Sequence, residues 1–404
     1  MTLILSILFT LLILGILITI HEFGHFISGK LLGFSITEFA IGMGPVIFKK
    51  RKGETEFVLR LFPIGGMCKF VGEDEEIVDA KSFNSHPVWK RMITVAAGAF
   101  MNIVLAFLVG ALMFGIFGSN EAIVYEKPMV AEIIEGAPAE NSELMAGDFV
   151  VAINGNEVAD SAQMIDLIKG ATENYVNITV MRPNANTVYR VDGEIVDIEN
   201  EEALEKLIKS KFAAQHTLTV ENADIIENIR IDNIYDAKAG YNKIGVSILN
   251  SKVLNIQHSF LGSFEQSGRF FVTTCDVLFD FLGKLFTGNA DVQQLMGVIG
   301  IVDVLDSGVS EVANLDVAAS MKASFIIEYL LLLLVLLSIN LGVVNLLPFP
   351  ALDGGRLVFM LIELIFKKPV PVKIEALIHM IGFFILMALI VLVVIIDTLR
   401  IFAG

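Results

Sequence analysis

The sequence predicts a polytopic α-helical membrane protein with four transmembrane helices, a membrane-associated β-hairpin on the cytoplasmic side and an extracytoplasmic α+β domain. Three observations carry this prediction. Of 404 residues, 54% are hydrophobic and only 18% are charged, more apolar than soluble domains usually are. Four stretches, about 3–25, 93–117, 325–347 and 376–399, are long and apolar enough to cross a hydrocarbon core of about 30 Å. Between the second and third lies a long polar region, about 119–323.

The first span, an almost unbroken apolar run from Leu3 to Ile20, is expected to be retained. No basic residue precedes it and no small-residue cleavage site follows. Lys49, Lys50, Arg51, Lys52, Lys81, Lys90 and Arg91 follow span one, and Lys367, Lys368 and Lys373 separate spans three and four. Basic residues concentrate in cytoplasmic loops, so both short loops are expected to face the cytoplasm, and the termini and region 119–323 the other side. That region holds 14 basic and 31 acidic residues, a balance of −17 that accounts for the chain's net charge of −16 and argues against nucleic-acid binding. Cys68 and Cys275 fall on opposite sides of this topology and read as packing residues, not a disulfide.

The end of span one carries His21-Glu22-Phe23-Gly24-His25. On a helix, positions i and i+4 share a face, so His21 and His25 can hold one metal ion while Glu22 is placed as general base and acid for hydrolysis. Ionisable groups at this depth are costly unless they have a partner or a task. His21 lies about 28 Å along the span at about 1.5 Å per residue, near the expected cytoplasmic face.

A catalytic zinc takes three protein ligands, and Asp353 is the candidate for the third. It belongs to Asn345-Leu346-Leu347-Pro348-Phe349-Pro350-Ala351-Leu352-Asp353-Gly354-Gly355, just after a span that returns to the depth of His21. The prolines break the helix there, and the paired glycines permit close backbone approach. Taken alone, the same residues are ordinary turn chemistry.

Residues 36–40 and 56–61 flank Lys52-Gly53 and suggest a hairpin over 36–72. It would either offer a strand edge to an extended substrate or simply shield the site. Beyond span two, Val130–Ile134, Gly136-Ala137-Pro138-Ala139, Ala146–Gly155, a helix near Ser161–Lys169 and a strand at Val176–Val180 follow a PDZ-like order. Residues 184–240, with a helix at Glu201–Lys211, form an insertion before a closing strand near Ile244-Gly245-Val246. The stretch from about 255 to 300 is amphipathic and rich in phenylalanine, which suits an interfacial helix or packing against the PDZ-like region. The expected domains are 1–118 and 324–404 as two membrane halves, 119–250 as the PDZ-like domain and 251–323 as an amphipathic connection.

With HEFGH in span one, Pro63-Ile64-Gly65-Gly66, the Asn345–Gly355 element and the PDZ-like region, the chain resembles the site-2 protease family of intramembrane zinc metalloproteases, in particular its bacterial RseP-type branch. The resemblance covers nearly the whole length. It implies that His21, His25 and Asp353 bind one catalytic zinc, that Glu22 is the catalytic base and acid, and that Asn345, with Asn340 as a second candidate, holds the substrate backbone. The family usually shows Gly-Pro before span three, where this chain reads Leu295-Met296-Gly297-Val298-Ile299-Gly300. The resemblance further implies single-pass membrane proteins as substrates, with trimmed anti-sigma factors or residual signal peptides as candidates, an upstream protease that trims them, and a bacterial cytoplasmic membrane as location. Two alternatives are a membrane-anchored zinc peptidase acting on soluble segments and a non-catalytic PDZ-bearing membrane scaffold.

Overall fold

The computed structural model describes residues 2–73, 80–210, 216–232, 234–236, 241–289 and 297–403. The chain divides into two compact units, one built from Met1–Phe117 and His258–Gly404 and the other from Gly118–Gln257.

In the first unit, α1 (Thr2–Leu32) is followed by a hairpin of β1 (Ile36–Lys52) and β2 (Thr55–Phe70), then by α2 (Val88–Phe117). After the second unit come α5 (Phe260–Thr287), α6 (Val298–Asn314), α7 (Ala319–Asn345), α8 (Asp353–Phe366) and α9 (Val372–Ala403). Four helices among the described residues are long and apolar enough to cross a membrane: Leu3–Leu32, Val88–Phe117, Ala319–Asn345 and Lys373–Leu399. α1 runs past its expected end at 25 to Leu32, because helical hydrogen bonding does not stop where the apolar run stops.

Small residues let these helices approach closely. A Cβ on Gly24 would stand 2.2 Å from the Ala97 carbonyl oxygen, and one on Gly342 would stand 3.0 Å from that of Ala99. α1 and α7 therefore both press on the same stretch of α2, where Ser338 Oγ donates to Asn102 O at 2.8 Å. Small residues at such crossings are what brings apolar helices together. α7 buries Val335, Ser338, Ile339, Gly342 and Val343, the i, i+3, i+4 stripe of a helix with one packed face.

The hairpin turns at Gly53, in the left-handed region with φ of 64°. Its strands are long enough to fold back: residues 36–41 pair with 56–59 on one side and with 66–70 on the other. The segment 66–70 is thus an edge, and it lies along α1, where Gly66 sits against the Glu22 side chain. Within the stretch expected to be interfacial or packed on the PDZ-like region, α5 lies against α2 and α7. Phe270, Phe271, Cys275 and Leu278 cover Ala106, Val335 and Ile339. Phe260 and Phe279 on the same helix remain exposed. Leu295 and Met296 lie outside the described residues; Gly297 caps α6.

The second unit contains β3 (Ser119–Ile133), β4 (Phe149–Ile153), β5 (Asn156–Glu157), α3 (Ser161–Lys169), β6 (Tyr175–Arg182), β7 (Val188–Val191), β8 (Glu194–Val196), α4 (Glu201–Ser210), β9 (His216–Glu221), β10 (Asp224–Asp232), β11 (Ile234–Asp236), β12 (Tyr241–Lys243) and β13 (Val246–Ile256). Its main sheet runs β10-β6-β4-β3-β9-β7-β8, with β13 paired to β3 and β5 to β4. Asn154-Gly155 and Asp192-Gly193, all with positive φ, make the two-residue turns of the β4–β5 and β7–β8 hairpins. α3 starts on a reciprocal cap: Asp160 accepts from Gln163 N–H, and the Gln163 side chain accepts from Ala159 N–H, each at 2.8 Å.

Two apolar clusters fill this unit. One, around Val150, Ile153, Met164, Ile178 and Ile231, lies between the sheet and α3. The other, around Ile123, Phe149, Leu204, Ile208 and Leu218, is built largely by the stretch read as an insertion. The helix expected at 201–211 is α4, and it supplies that cluster's floor. The unit ends at Gln257 rather than 250, because the closing strand pairs with β3 from Val246 to Ile256.

Candidate metal centre

His21 and His25 sit one turn apart on α1, and Asp353 is the first residue of α8. The distant segments meet: Asp353 Oδ2 lies 3.1 Å from His21 Nε2 and 3.4 Å from His25 Nε2, and the two imidazole nitrogens are 3.2 Å apart. Donors held about 2.0–2.1 Å from one tetrahedral zinc stand about 3.3 Å from each other, so these three spacings fit such an ion. Asp353 Oδ2 is buried and, despite those neighbours, has no hydrogen-bond partner. An ion among the three donors would satisfy it.

The local fold shows why the chain converges here. The turn that ends α7 brings Leu346 and Leu347 back against α8, and a Cβ on Gly354 would stand 2.0 Å from the Leu347 carbonyl oxygen. A Cβ on Gly355 would stand 2.5 Å from that of Phe349. The paired glycines are therefore a packing requirement of the turn that delivers Asp353. On the other side, a Cβ on Gly98 of α2 would stand 2.3 Å from His25 Nε2, so only a bare backbone can lie against the imidazoles there.

Outer contacts orient the rings. His25 Nδ1 donates to Thr94 O at 2.9 Å, which leaves Nε2 with its lone pair toward Asp353 and His21. The Asn102 amide lies 3.5 Å from His21 Nδ1. Its Oδ1 is otherwise buried without a partner; turned toward the ring, it accepts from Nδ1–H and frees His21 Nε2 in the same way. Asn102 was not singled out by the sequence reading. Its only signal there is that it is a polar residue within an apolar span.

Glu22 shares a cavity of about 450 Å³ with the three candidate ligands, Gly66–Phe70, Glu73, Thr94 and Arg356. Its carboxylate faces the Cys68 N–H of the hairpin edge. Cys68 lines the same cavity, but burial, reinforced by the Glu22 and Glu73 carboxylates, pushes its thiol well above the ordinary range. It stays neutral and packs. Asn345 is the last residue of α7, half-buried, and Asn340 lies further up the same helix. Neither is among the residues lining this cavity. His216, in the second unit, is engaged by Asp192 Oδ2 at 2.6 Å.

Residues 9–389 match the profile of Peptidase family M50. A protein of Clostridium perfringens whose name places it among the zinc metalloproteases is 32% identical, over 97% of this chain and 98% of its own length. Zinc metalloprotease RasP of Bacillus licheniformis is 27% identical, and Regulator of sigma-W protease RasP of Bacillus subtilis is 26% identical, each over 97% of this chain and 98% of the relative. With four helices apolar and long enough to span a bilayer, these relatives make it a multi-pass membrane protein. The chain therefore belongs to Peptidase family M50, the site-2 proteases, and is a zinc metalloprotease.

Proposed function

We propose that the protein hydrolyses peptide bonds in or near the transmembrane segments of single-pass membrane proteins, with His21, His25 and Asp353 as the ligands of one catalytic zinc. The observation that carries this reading is the convergence of the three donors, within 4.8 Å of one another, between the apolar helix α1 and the first residue of α8. Bound there, zinc supplies Lewis acidity toward the scissile carbonyl and lowers the pKa of water. Glu22 takes the proton from the attacking water and delivers it to the departing nitrogen. His25 is held in orientation by Thr94, and His21 by Asn102.

A transmembrane helix hides its carbonyls in internal hydrogen bonds, so a substrate must unwind before a peptide bond is reached. The edge 66–70 offers replacement partners by strand addition. Asn345 and Asn340 are further candidates to hold substrate backbone, since each amide can donate and accept. The basic loops place the metal centre toward the cytoplasm and residues 119–250 outside, in a bacterial cytoplasmic membrane. Candidate substrates are anti-sigma factors or residual signal peptides already shortened by another protease. We read 119–250 as PDZ-like: among the described residues β13 pairs on one side, with β3, and Asn250 Nδ2 bonds Ser161 Oγ of α3 at 2.9 Å, so a strand edge lies near a helix as in a peptide groove. Such a domain serves either as a groove or as a size filter. Saturable, sequence-dependent peptide binding by the full chain would indicate the groove, and exclusion of bulky ectodomains without peptide affinity the filter.

The decisive experiment uses purified protein in detergent with a single-pass test substrate. Cleavage within or beside its apolar segment by the parent, and none by Glu22→Gln at equal zinc content, is the expected result. Cleavage confined to soluble segments would instead favour a membrane-anchored peptidase.

A further inference from the structure

In an antiparallel pair, alternate residues direct both N–H and C=O to the same side. Val71 N–H donates inward to Ser35 O at 3.0 Å, and Lys69 O accepts from Thr37 Oγ1 at 3.1 Å, so Cys68 and Phe70 face outward, into the metal-centre cavity. Carboxylates meet both. The Cys68 N–H faces Glu22, and the Phe70 N–H donates to Glu73 Oε2 at 3.3 Å. The other Glu73 oxygen accepts from Arg356 Nη1, on the first turn of α8. The turn carrying Glu73 is itself held, by Asn84 Nδ2 donating to Gly72 O at 2.7 Å and by Phe83 N–H donating to Val71 O at 2.7 Å.

Glu73, Phe83 and Arg356 line the metal-centre cavity and also a neighbouring one of about 410 Å³. The second cavity has Phe359 and Met360 in its wall together with Arg91 and Glu363, which pair with each other at 2.5 Å. Two of its charges are therefore already neutralised, and Phe83, Phe359, Met360, Val370 and Ala376 give the cavity an apolar lining alongside its polar residues Asn84, Glu375 and His379.

We propose that the Glu73–Arg356 pair is the gate of a substrate subsite. The inference rests on the reading of 66–70 as the strand to which substrate adds. On that strand, the Glu73 carboxylate stands where an added peptide would place a carbonyl on Phe70 N–H. A substrate that pairs along the edge displaces Glu73 and opens the wall between the two cavities. Its residues beyond Phe70 then enter the second cavity, which suits apolar side chains against Phe359 and Met360. The occupied edge costs nothing in the resting protein, because Phe70 N–H is satisfied, and it raises the threshold for any peptide that pairs only briefly. The alternative is that the pair merely ties α8 to the end of β2, in which case its loss would disturb Asp353 and zinc retention without improving substrate binding.

The test uses the full chain in detergent and a fluorescently labelled single-pass peptide. Binding is measured by anisotropy in a Glu22→Gln background, KM in the parent background, and zinc content throughout. Glu73→Ala should lower Kd and KM about three- to tenfold, the scale of one released hydrogen bond and ion pair, at unchanged zinc content. Glu73→Gln keeps an acceptor for Phe70 N–H but loses the charge, and should give a smaller decrease. Unchanged or raised Kd in zinc-replete Glu73→Ala overturns the gate, and if that variant loses zinc or aggregates, an unchanged Kd in Glu73→Gln overturns it equally. A parent that binds and cleaves while neither variant moves Kd refutes the gate alone. A parent that neither binds nor cleaves the peptide refutes the proposed function and the gate with it.

Discussion

At the scale of single residues, the metal centre depends on what is missing as much as on what is present. Gly98 has no side chain because His25 Nε2 and His21 Cε1 occupy the space that a Cβ would need. Gly98→Ala overpacks a site with no slack, at a cost of about 1–3 kcal/mol, so zinc affinity measured against a competing chelator should fall about tenfold to a hundredfold. Glu22 is not among the three donors. Replacing it with glutamine should leave zinc content unchanged while turnover falls about 10²–10⁴-fold, the usual contribution of a general acid–base group. Asp353→Ala removes one of three donors; metal analysis of the purified variant should find zinc and activity lost together. The HExxH spacing made His21, Glu22 and His25 legible in the sequence. Asn102 was not legible, because nothing in an apolar span says which polar residue will face a histidine on another helix.

At the scale of elements, the turn between α7 and α8 depends on α9. Ala351 is held at a positive φ of 76°, and its N–H donates to His379 Nδ1 at 2.9 Å. A Cβ on Gly382 would stand 2.4 Å from that of Pro350, so α9 lies directly on the turn that aims Asp353. His379→Ala leaves a part-buried N–H without its acceptor, at about 1 kcal/mol, and zinc retention during dialysis against chelator should drop correspondingly. His379→Asn puts an amide oxygen near the position of Nδ1 and should restore it, whereas His379→Leu should not. Equal behaviour of the asparagine and leucine variants would show that only packing matters at this position. The element carrying Asp353 was readable from its prolines and glycines. Its dependence on α9 was not, since α9 reads in sequence as one more apolar span.

At the scale of the whole molecule, the two compact units rest on different physics. The membrane-spanning helices meet through small residues and close backbone contact, whereas the second unit buries an aliphatic core and fixes it with polar ties. Asp148, 1% exposed, accepts from Arg182 Nε and Nη2, each at 2.8 Å, and from Met145 N–H at 2.8 Å. The Asp148 carboxylate in turn raises the Arg182 pKa above its ordinary value, so the guanidinium stays charged at any working pH. Arg182→Ala strands a buried carboxylate and should cost that unit about 3 kcal/mol. Thermal melting of the zinc-loaded protein should resolve an earlier transition for Gly118–Gln257, with zinc content unchanged. The order of strands and helix up to Val180 was visible in the sequence. The second apolar cluster was not, because its members are spread from Ile123 to Ile256 and no local period marks them.

The sequence by itself determined the chemistry and the number of spans: hydrophobic runs, the i, i+4 histidine pair and the proline–glycine element are local patterns, and local patterns survive in a linear reading. Tertiary structure alone decided that Asp353 comes within 3.4 Å of both imidazoles, that α5 packs along α2 and α7, and that Glu73 covers the strand edge beside Glu22. Those facts depend on which helix faces meet across hundreds of residues, and close packing, not composition, selects the pairing.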